Sequence, residues 1–277
     1  MKKATAETSS TSVSNGAGKL DTLFGAKKKG LFMAHMIAGY PSTSDSEKVA
    51  EALATGGADI IELQIPFSDP MADGPTIAVA CEEALKAGAT VATSLALLKK
   101  VTVLGKPVAV MSYTNPVFRY GIPEFVKTIA GAGASPAGGG ASALIVPDCP
   151  FDSEEGAALL AACKENDIYL IPVVSPGVPR ERLEQLAKES RGFVYCTTRQ
   201  GITGATGKFA KELFDFVAEL KTIFKLPIAV GFGVKSRNDV ETLAKHADIV
   251  IAGSVFVDVI KKDGVDAVEK TVRELVS

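Results

Sequence analysis

From about residue 30 onward, short apolar runs alternate with stretches of helical periodicity. The runs are Leu31–Ile37, Ile60–Ile65, Val108–Thr114, Ala143–Val146, Tyr169–Val174, Phe193–Thr198, Ile228–Gly231 and Asp248–Ala252. They are almost uniformly apolar, as parallel strands covered on both faces are, and lack the strict alternation of a half-exposed sheet. Between them lie helical stretches at Asp45–Leu53, Ile77–Lys86, Thr93–Leu104, Pro123–Ile129, Glu154–Lys164, Arg180–Glu189, Lys208–Lys221 and Asp239–Lys245. Along the seventh of these and just past its end, Phe214, Val217, Leu220 and Ile223 recur every third residue and define one apolar face. A closing helix spans Val255–Val276, with a break near Asp263 and Gly264. Eight strand–helix alternations predict an α/β protein of the (β/α)₈ TIM-barrel type, one catalytic domain over residues 19–277. An open doubly wound sheet is the alternative. No GxGxxG follows the first strand, which speaks against the dinucleotide-binding form of that fold.

Two segments stand outside this alternation. Residues 131–141, GAGASPAGGGA, are nearly all small and read as a surface loop on the helix-to-strand side, away from a barrel's catalytic face. Residues 1–18 are small and polar, with no apolar stretch of the kind a secretory signal needs. Ser and Thr dominate there, as in an organelle transit peptide, but the segment has no Arg and includes Glu7. A disordered tail on a cytoplasmic protein is the reading adopted.

Composition narrows the chemistry. Net charge is −2 over 277 residues, so no basic excess points to nucleic acid or an anionic membrane. No apolar run approaches the ~20 residues of a membrane span. Cys81, Cys149, Cys163 and Cys196 form no CxxC pair and match no zinc spacing; they read as buried or free thiols. With only His35 and His246, a His-rich metal site is excluded and no metal is expected.

A barrel carries its active site at the carboxyl ends of its strands. There the second strand and its loop read Ile61-Glu62-Leu63-Gln64-Ile65-Pro66-Phe67-Ser68-Asp69-Pro70-Met71-Ala72-Asp73-Gly74-Pro75. Alternation puts Glu62 and Gln64 on one face. An inward carboxylate is expensive unless it is paired or working, and an apolar setting suits one to proton transfer near neutrality. The bland reading, a Glu satisfied by backbone donors or a Lys, stands level with the functional one. Ser68, Asp69 and Asp73 are ordinary turn residues, yet two carboxylates near one strand end could divide the roles of acid and base. At the other end of the chain, Gly231-Phe232-Gly233 and Gly253-Ser254 close the last two strands before helices. Glycine lets an anion approach backbone N–H groups, and a helix start supplies partial positive charge, so these turns predict a phosphate site. Residues 198–207, TRQGITGATG, read as a mobile lid.

The stretch ELQIPFSDPMADGPTI (62–77) closely resembles the signature of the tryptophan synthase alpha chain family. So do AGYP (38–41), SYTNPVFRYG (112–121), IVPDCPFDSEE (145–155), VYCTTRQGITGATG (194–207), VGFGV (230–234) and IAGS (251–254), in the same order. The resemblance implies a barrel that cleaves indole-3-glycerol phosphate to indole and glyceraldehyde 3-phosphate without a cofactor of its own. It further implies a partner, a beta subunit with pyridoxal phosphate, in an α₂β₂ complex. By position, Glu62 matches the general acid–base, Asp73 the contact to the indole N–H, and Tyr195 the wall of the indole pocket. Gly204, Gly231, Gly233, Gly253 and Ser254 match the phosphate site, Thr203 the closing loop, and Asp148 the segment that meets the beta subunit. The chain departs from the common pattern at three positions. His35 replaces a phenylalanine, Gln64 a glycine and Phe193 a tyrosine. His35 and Gln64 could pair with Glu62, crowd the pocket or simply pack. A stand-alone indole-releasing lyase, a non-catalytic partner of a beta subunit and another phosphate-binding barrel are the competing readings. Retention of both Glu62 and Asp73 argues against the second.

Overall fold

The computed structural model describes residues 16–27, 29–132, 139–197, 208–231 and 233–277. Nine parallel strands form one sheet: β1 (Leu31–Ile37), β2 (Ile60–Gln64), β3 (Val108–Met111), β4 (Ala143–Ile145), β5 (Tyr169–Ile171), β6 (Val173–Val174), β7 (Val194–Cys196), β8 (Ile228–Gly231) and β9 (Ile249–Ala252). Their order is β5-β4-β3-β2-β1-β9-β8-β7-β6. The two outer members of that order are halves of one expected strand, divided at Pro172, whose nitrogen has no hydrogen to donate. The sheet therefore closes through residues 169–174 into a (β/α)₈ barrel, with Pro172 O still accepting from Tyr195 N at 2.9 Å.

Helices follow the strands at Asp45–Gly56, Pro75–Lys86, Val91–Val101, Thr114–Tyr120, Ile122–Gly131, Glu154–Glu165, Arg180–Glu189, Lys208–Ile223, Arg237–Ala244, Ser254–Asp263 and Val268–Val276. Local chemistry sets several boundaries. Thr90 and Thr93, and Ser236 and Asp239, form reciprocal capping boxes. The helix after β1 ends on Gly57 at φ 114°, a left-handed turn that suits glycine. The last two helices part at a short 3₁₀ turn, Val265–Ala267, as the sequence indicated. Among the described residues, no single helix is long and apolar enough to cross a membrane.

Alternation sorts the core into two shells. Outward residues such as Ile61, Leu63, Val110, Leu144 and Val250 pack against the helices. Inward residues Leu31, Met33, Ile60, Ala109, Ala143, Ile171, Phe193, Ala229 and Ile249 fill the barrel. The amino-terminal mouth is plugged by a further helix, Gly16–Ala26, which the strand–helix pattern does not announce and which starts inside the stretch read as tail. Its Leu20 is 0% exposed and joins the inward cluster, with Leu23 and Phe24 packed beside it. Asp59 and Asp248 pin this end by accepting from Phe32 N (2.8 Å) and Ile228 N (3.0 Å). Leu20→Ala should therefore lower stability by about 3 kcal/mol, as buried Leu truncations do, while sparing the opposite mouth; urea unfolding measures it. The four cysteines are buried and free.

Candidate active site

The inner shell turns polar toward the carboxyl end. On β2 the inward positions run Ile60, Glu62, Gln64, and Glu62 is 1% exposed. Pairing of β1 with β2 sets His35 directly across from Glu62. His35 Nδ1 lies 3.1 Å from Glu62 Oε2, an ion-pair approach without the alignment of a straight hydrogen bond. Burial works against the imidazolium, but the charge of Glu62 and the contact with it, aided by Asp73 and Gln64, outweigh burial and raise the His35 pKa.

Beyond β2 the loop folds back over the mouth. Asp73 N donates to Pro70 O at 3.0 Å, and Pro75 opens the next helix, where its missing N–H costs nothing. Asp73 is thereby turned inward, and its Oδ2 accepts from Gln64 Nε2 (2.6 Å) and from Tyr113 OH (3.1 Å). Tyr113 continues the inward alternation of β3 past its end, and its hydroxyl also accepts from Ala72 N at 3.1 Å. Burial raises the Asp73 pKa against the lowering pull of His35, Gln64 and Tyr113. Ser68 and Asp69, by contrast, are exposed and bonded to each other at 2.6 Å. Of the carboxylates in this loop, then, Asp73 is the one that joins Glu62. Tyr195, inward on β7, faces the same pair. Burial first, then the charges of Glu62 and Asp73, raise its pKa well above 10 and keep the phenol neutral.

The glycine turns meet on the neighbouring strands. Gly231 pairs with Ile251, and a Cβ on Gly231 would stand 3.2 Å from the Ile251 Cβ. Gly233 has φ 52°, in the left-handed region. Gly253 caps the helix Ser254–Asp263, whose first N–H groups have no partner within the helix. A Cβ on Gly253 would lie 3.1 Å from His35 Cδ2, so the His35 ring lies between Glu62 and the Gly253 turn. Thr203, Gly204 and the expected lid lie outside the described residues. Sequence reasoning missed Tyr113; continuing the inward alternation Ala109, Met111 by one step finds it. It also left open what His35 does, since only strand pairing brings it to Glu62.

After β4, Asp148 Oδ1 accepts from both Thr114 N and Thr114 Oγ1 at 2.9 Å. This joins the β4 loop to the helix after β3. The β4 loop also borders a cavity of about 470 Å³, shared with Pro176, Val178 and Arg182.

Fold and site together define the class: a (β/α)₈-barrel enzyme with one buried carboxylate, Glu62, and one half-buried, Asp73, at the carboxyl end of its strands. A family model described as tryptophan synthase alpha chain matches residues 23–277. The tryptophan synthase alpha chain of Desulforapulum autotrophicum is 38% identical over 250 residues, covering 90% of this chain and 95% of that one. That of Methanosarcina barkeri is 39% identical over 254 residues, covering 91% and 92%. Among solved structures, tryptophan synthase from Mycobacterium tuberculosis in space group F222 superposes with a TM-score of 0.83 at 36% identity, covering 93% of this chain and 96% of that one. The alpha subunit from Legionella pneumophila gives 0.80 at 29% identity, covering 95% and 97%. The chain belongs to the tryptophan synthase alpha chain family. It is a lyase of the family whose alpha subunit cleaves indole-3-glycerol phosphate in tryptophan biosynthesis. That alpha chain takes no cofactor; pyridoxal phosphate belongs to the beta subunit.

Proposed function

We propose that Glu62 is the general acid–base of the cleavage and that Asp73 receives the indole N–H. Tyr195 lines the indole pocket. Gly231, Gly233, Gly253 and Ser254 hold the phosphate, together with Gly204, while Thr203 belongs to the closing loop. The observation that carries this reading is the convergence of Glu62 and Asp73 through His35 and Gln64. In the reaction, a proton added at indole C3 makes the ring an electron sink. The bond from C3 to the glycerol carbon then breaks, its electrons restore the neutral indole, and the hydroxyl on that carbon gives up its proton to become the aldehyde. One proton enters and one leaves, so a single carboxyl group serves both steps. Asp73 as a carboxylate stabilises the cation on the ring nitrogen.

In this reading residues 16–277, including the helix that plugs the barrel, act as one catalytic domain in the cytoplasm; the bacterial and archaeal relatives support that setting. The partner is a beta subunit carrying pyridoxal phosphate, in an α₂β₂ complex. The solved structures of tryptophan synthase from Mycobacterium tuberculosis support this, as does the Asp148–Thr114 link after β4 and β3. Titrating the chain with a cognate beta subunit while following indole release tests it. Each subunit should activate the other, with reciprocal coupling of about 1–3 kcal/mol. Indole release that is fast alone and indifferent to the beta subunit, with no complex in sedimentation, would make the chain a stand-alone lyase.

A further inference from the structure

We propose that His35 and Gln64 are positioning residues that join Glu62 and Asp73 into one unit, with the His35 ring as the counter-charge to the two carboxyl groups. The proposal rests on the roles given to Glu62 and Asp73 above. Its geometry comes from three elements. β1 places His35 Nδ1 at 3.1 Å from Glu62 Oε2. On β2, the next inward position after Glu62 is Gln64, whose amide reaches Asp73 at 2.6 Å. At β9, the His35 ring packs against Gly253, where a Cβ would lie 3.1–3.3 Å from Cδ2, Cβ and Cγ, so the ring has little room to swing away.

Charge explains why such a unit is needed. Two carboxylates sharing one apolar site cannot both ionise without a counter-charge, and one takes up a proton. Among the described residues no Lys or Arg is buried, so His35 is the one buried group able to supply that charge. The titratable groups around it are Glu62 on β2, Asp73 on the loop after β2, and the phenols of Tyr113 on β3 and Tyr195 on β7, which face the same carboxylates. Just after β9, Gly253 packs on the ring and brings no titratable side chain. The balance of these groups holds the proton on His35 more tightly than in a free imidazole. His35 Nε2, Glu62 Oε2 and Gln64 Oε1 are all buried without an aligned hydrogen-bond partner. Unsatisfied atoms of this kind lower stability, which sets the cluster apart from one built for packing alone.

The chain has two histidines, so ¹⁵N-histidine NMR reads His35 directly. His246 stacks on Phe214 outside the cluster, and His246→Gln assigns the signals. In the wild type, His35 should carry protons on both nitrogens at neutral pH. Glu62→Gln should lower its midpoint by about 1 unit or more, the usual effect of losing an adjacent opposite charge. His35→Phe should lower kcat about tenfold with little change in KM, and displace the kcat/KM pH profile, which a merely structural role would leave in place. A neutral His35 at neutral pH, or a midpoint unmoved by Glu62→Gln, overturns the proposal. So does His35→Phe with a wild-type pH profile. If His35→Phe does not fold, the NMR comparison of wild type with Glu62→Gln still decides. Loss of turnover in Glu62→Gln with a neutral His35 overturns the positioning role alone, whereas full turnover in Glu62→Gln overturns the acid–base reading and the proposal with it.

Discussion

Glu62→Gln is expected to lower kcat for indole release by about 10²–10⁴-fold, the usual contribution of a general acid–base group. KM for indole-3-glycerol phosphate should move little, because in the proposed site the phosphate is held by Gly233, Gly253 and Ser254 and not by Glu62. The amide keeps the volume of the carboxyl and can still accept from His35, so the strand pairing that buries position 62 survives. What changes is charge. His35 has a raised pKa in the folded protein chiefly because Glu62 offsets the cost of burial. A group with a raised folded pKa contributes stability that is full below its unfolded value and is lost as pH rises through the folded one. Wild-type stability should carry that decline above about pH 6.5, the free imidazole value, and the variant should show less of it. Steady-state assays and urea unfolding across pH measure the two effects separately. Turnover within a few fold of wild type would remove Glu62 from the chemistry.

The barrel was legible because each strand is buried on both faces and is written as an apolar run; Ile60, Ile61 and Leu63 leave little else for that segment to be. The fifth strand read as one piece, and Pro172 divides it without opening the sheet. Two helices escaped the pattern. In Thr114–Tyr120, Pro116 looks like a breaker, yet it sits in the first turn, where proline is tolerated. In Gly16–Ala26, Leu20, Leu23 and Phe24 carry the helical spacing, but small and polar neighbours mask it. Alternation alone placed Glu62 and Gln64 on one face. It could not show that Gln64 would hold Asp73 or that His35 would hold Glu62. Those contacts depend on the β1–β2 register and on a loop that returns over the mouth under the pull of Tyr113. The family resemblance named the acid–base positions. The side chains that orient them stand where this chain departs from the common pattern, so only the geometry assigns them.

Ser254→Glu should raise KM for indole-3-glycerol phosphate about 100-fold or more, with kcat at saturation changed far less. Ser254 is the first residue of the helix Ser254–Asp263, and Gly253 before it lends no side chain to the cap. The open N–H groups and the positive end of the helix dipole face the position expected for the phosphate. A carboxylate placed there occupies the same donors and repels the anion. Each 1.4 kcal/mol lost is tenfold in affinity, and like charges brought together cost several kcal/mol. Misfolding is a poor explanation for such a result, because an acidic residue in a first turn stabilises the helix by about 0.3–1 kcal/mol. The variant should unfold at equal or higher urea while binding substrate worse, a combination that general damage does not produce. Gly233→Ala supplies the contrast. At φ 52° a Cβ is strained by about 1–2 kcal/mol, so that change should lower stability as well as affinity. Binding of inorganic phosphate, followed by calorimetry, should weaken in both variants. Unchanged affinity in Ser254→Glu would place the phosphate elsewhere on the barrel mouth and leave these glycines as tight strand-to-helix turns.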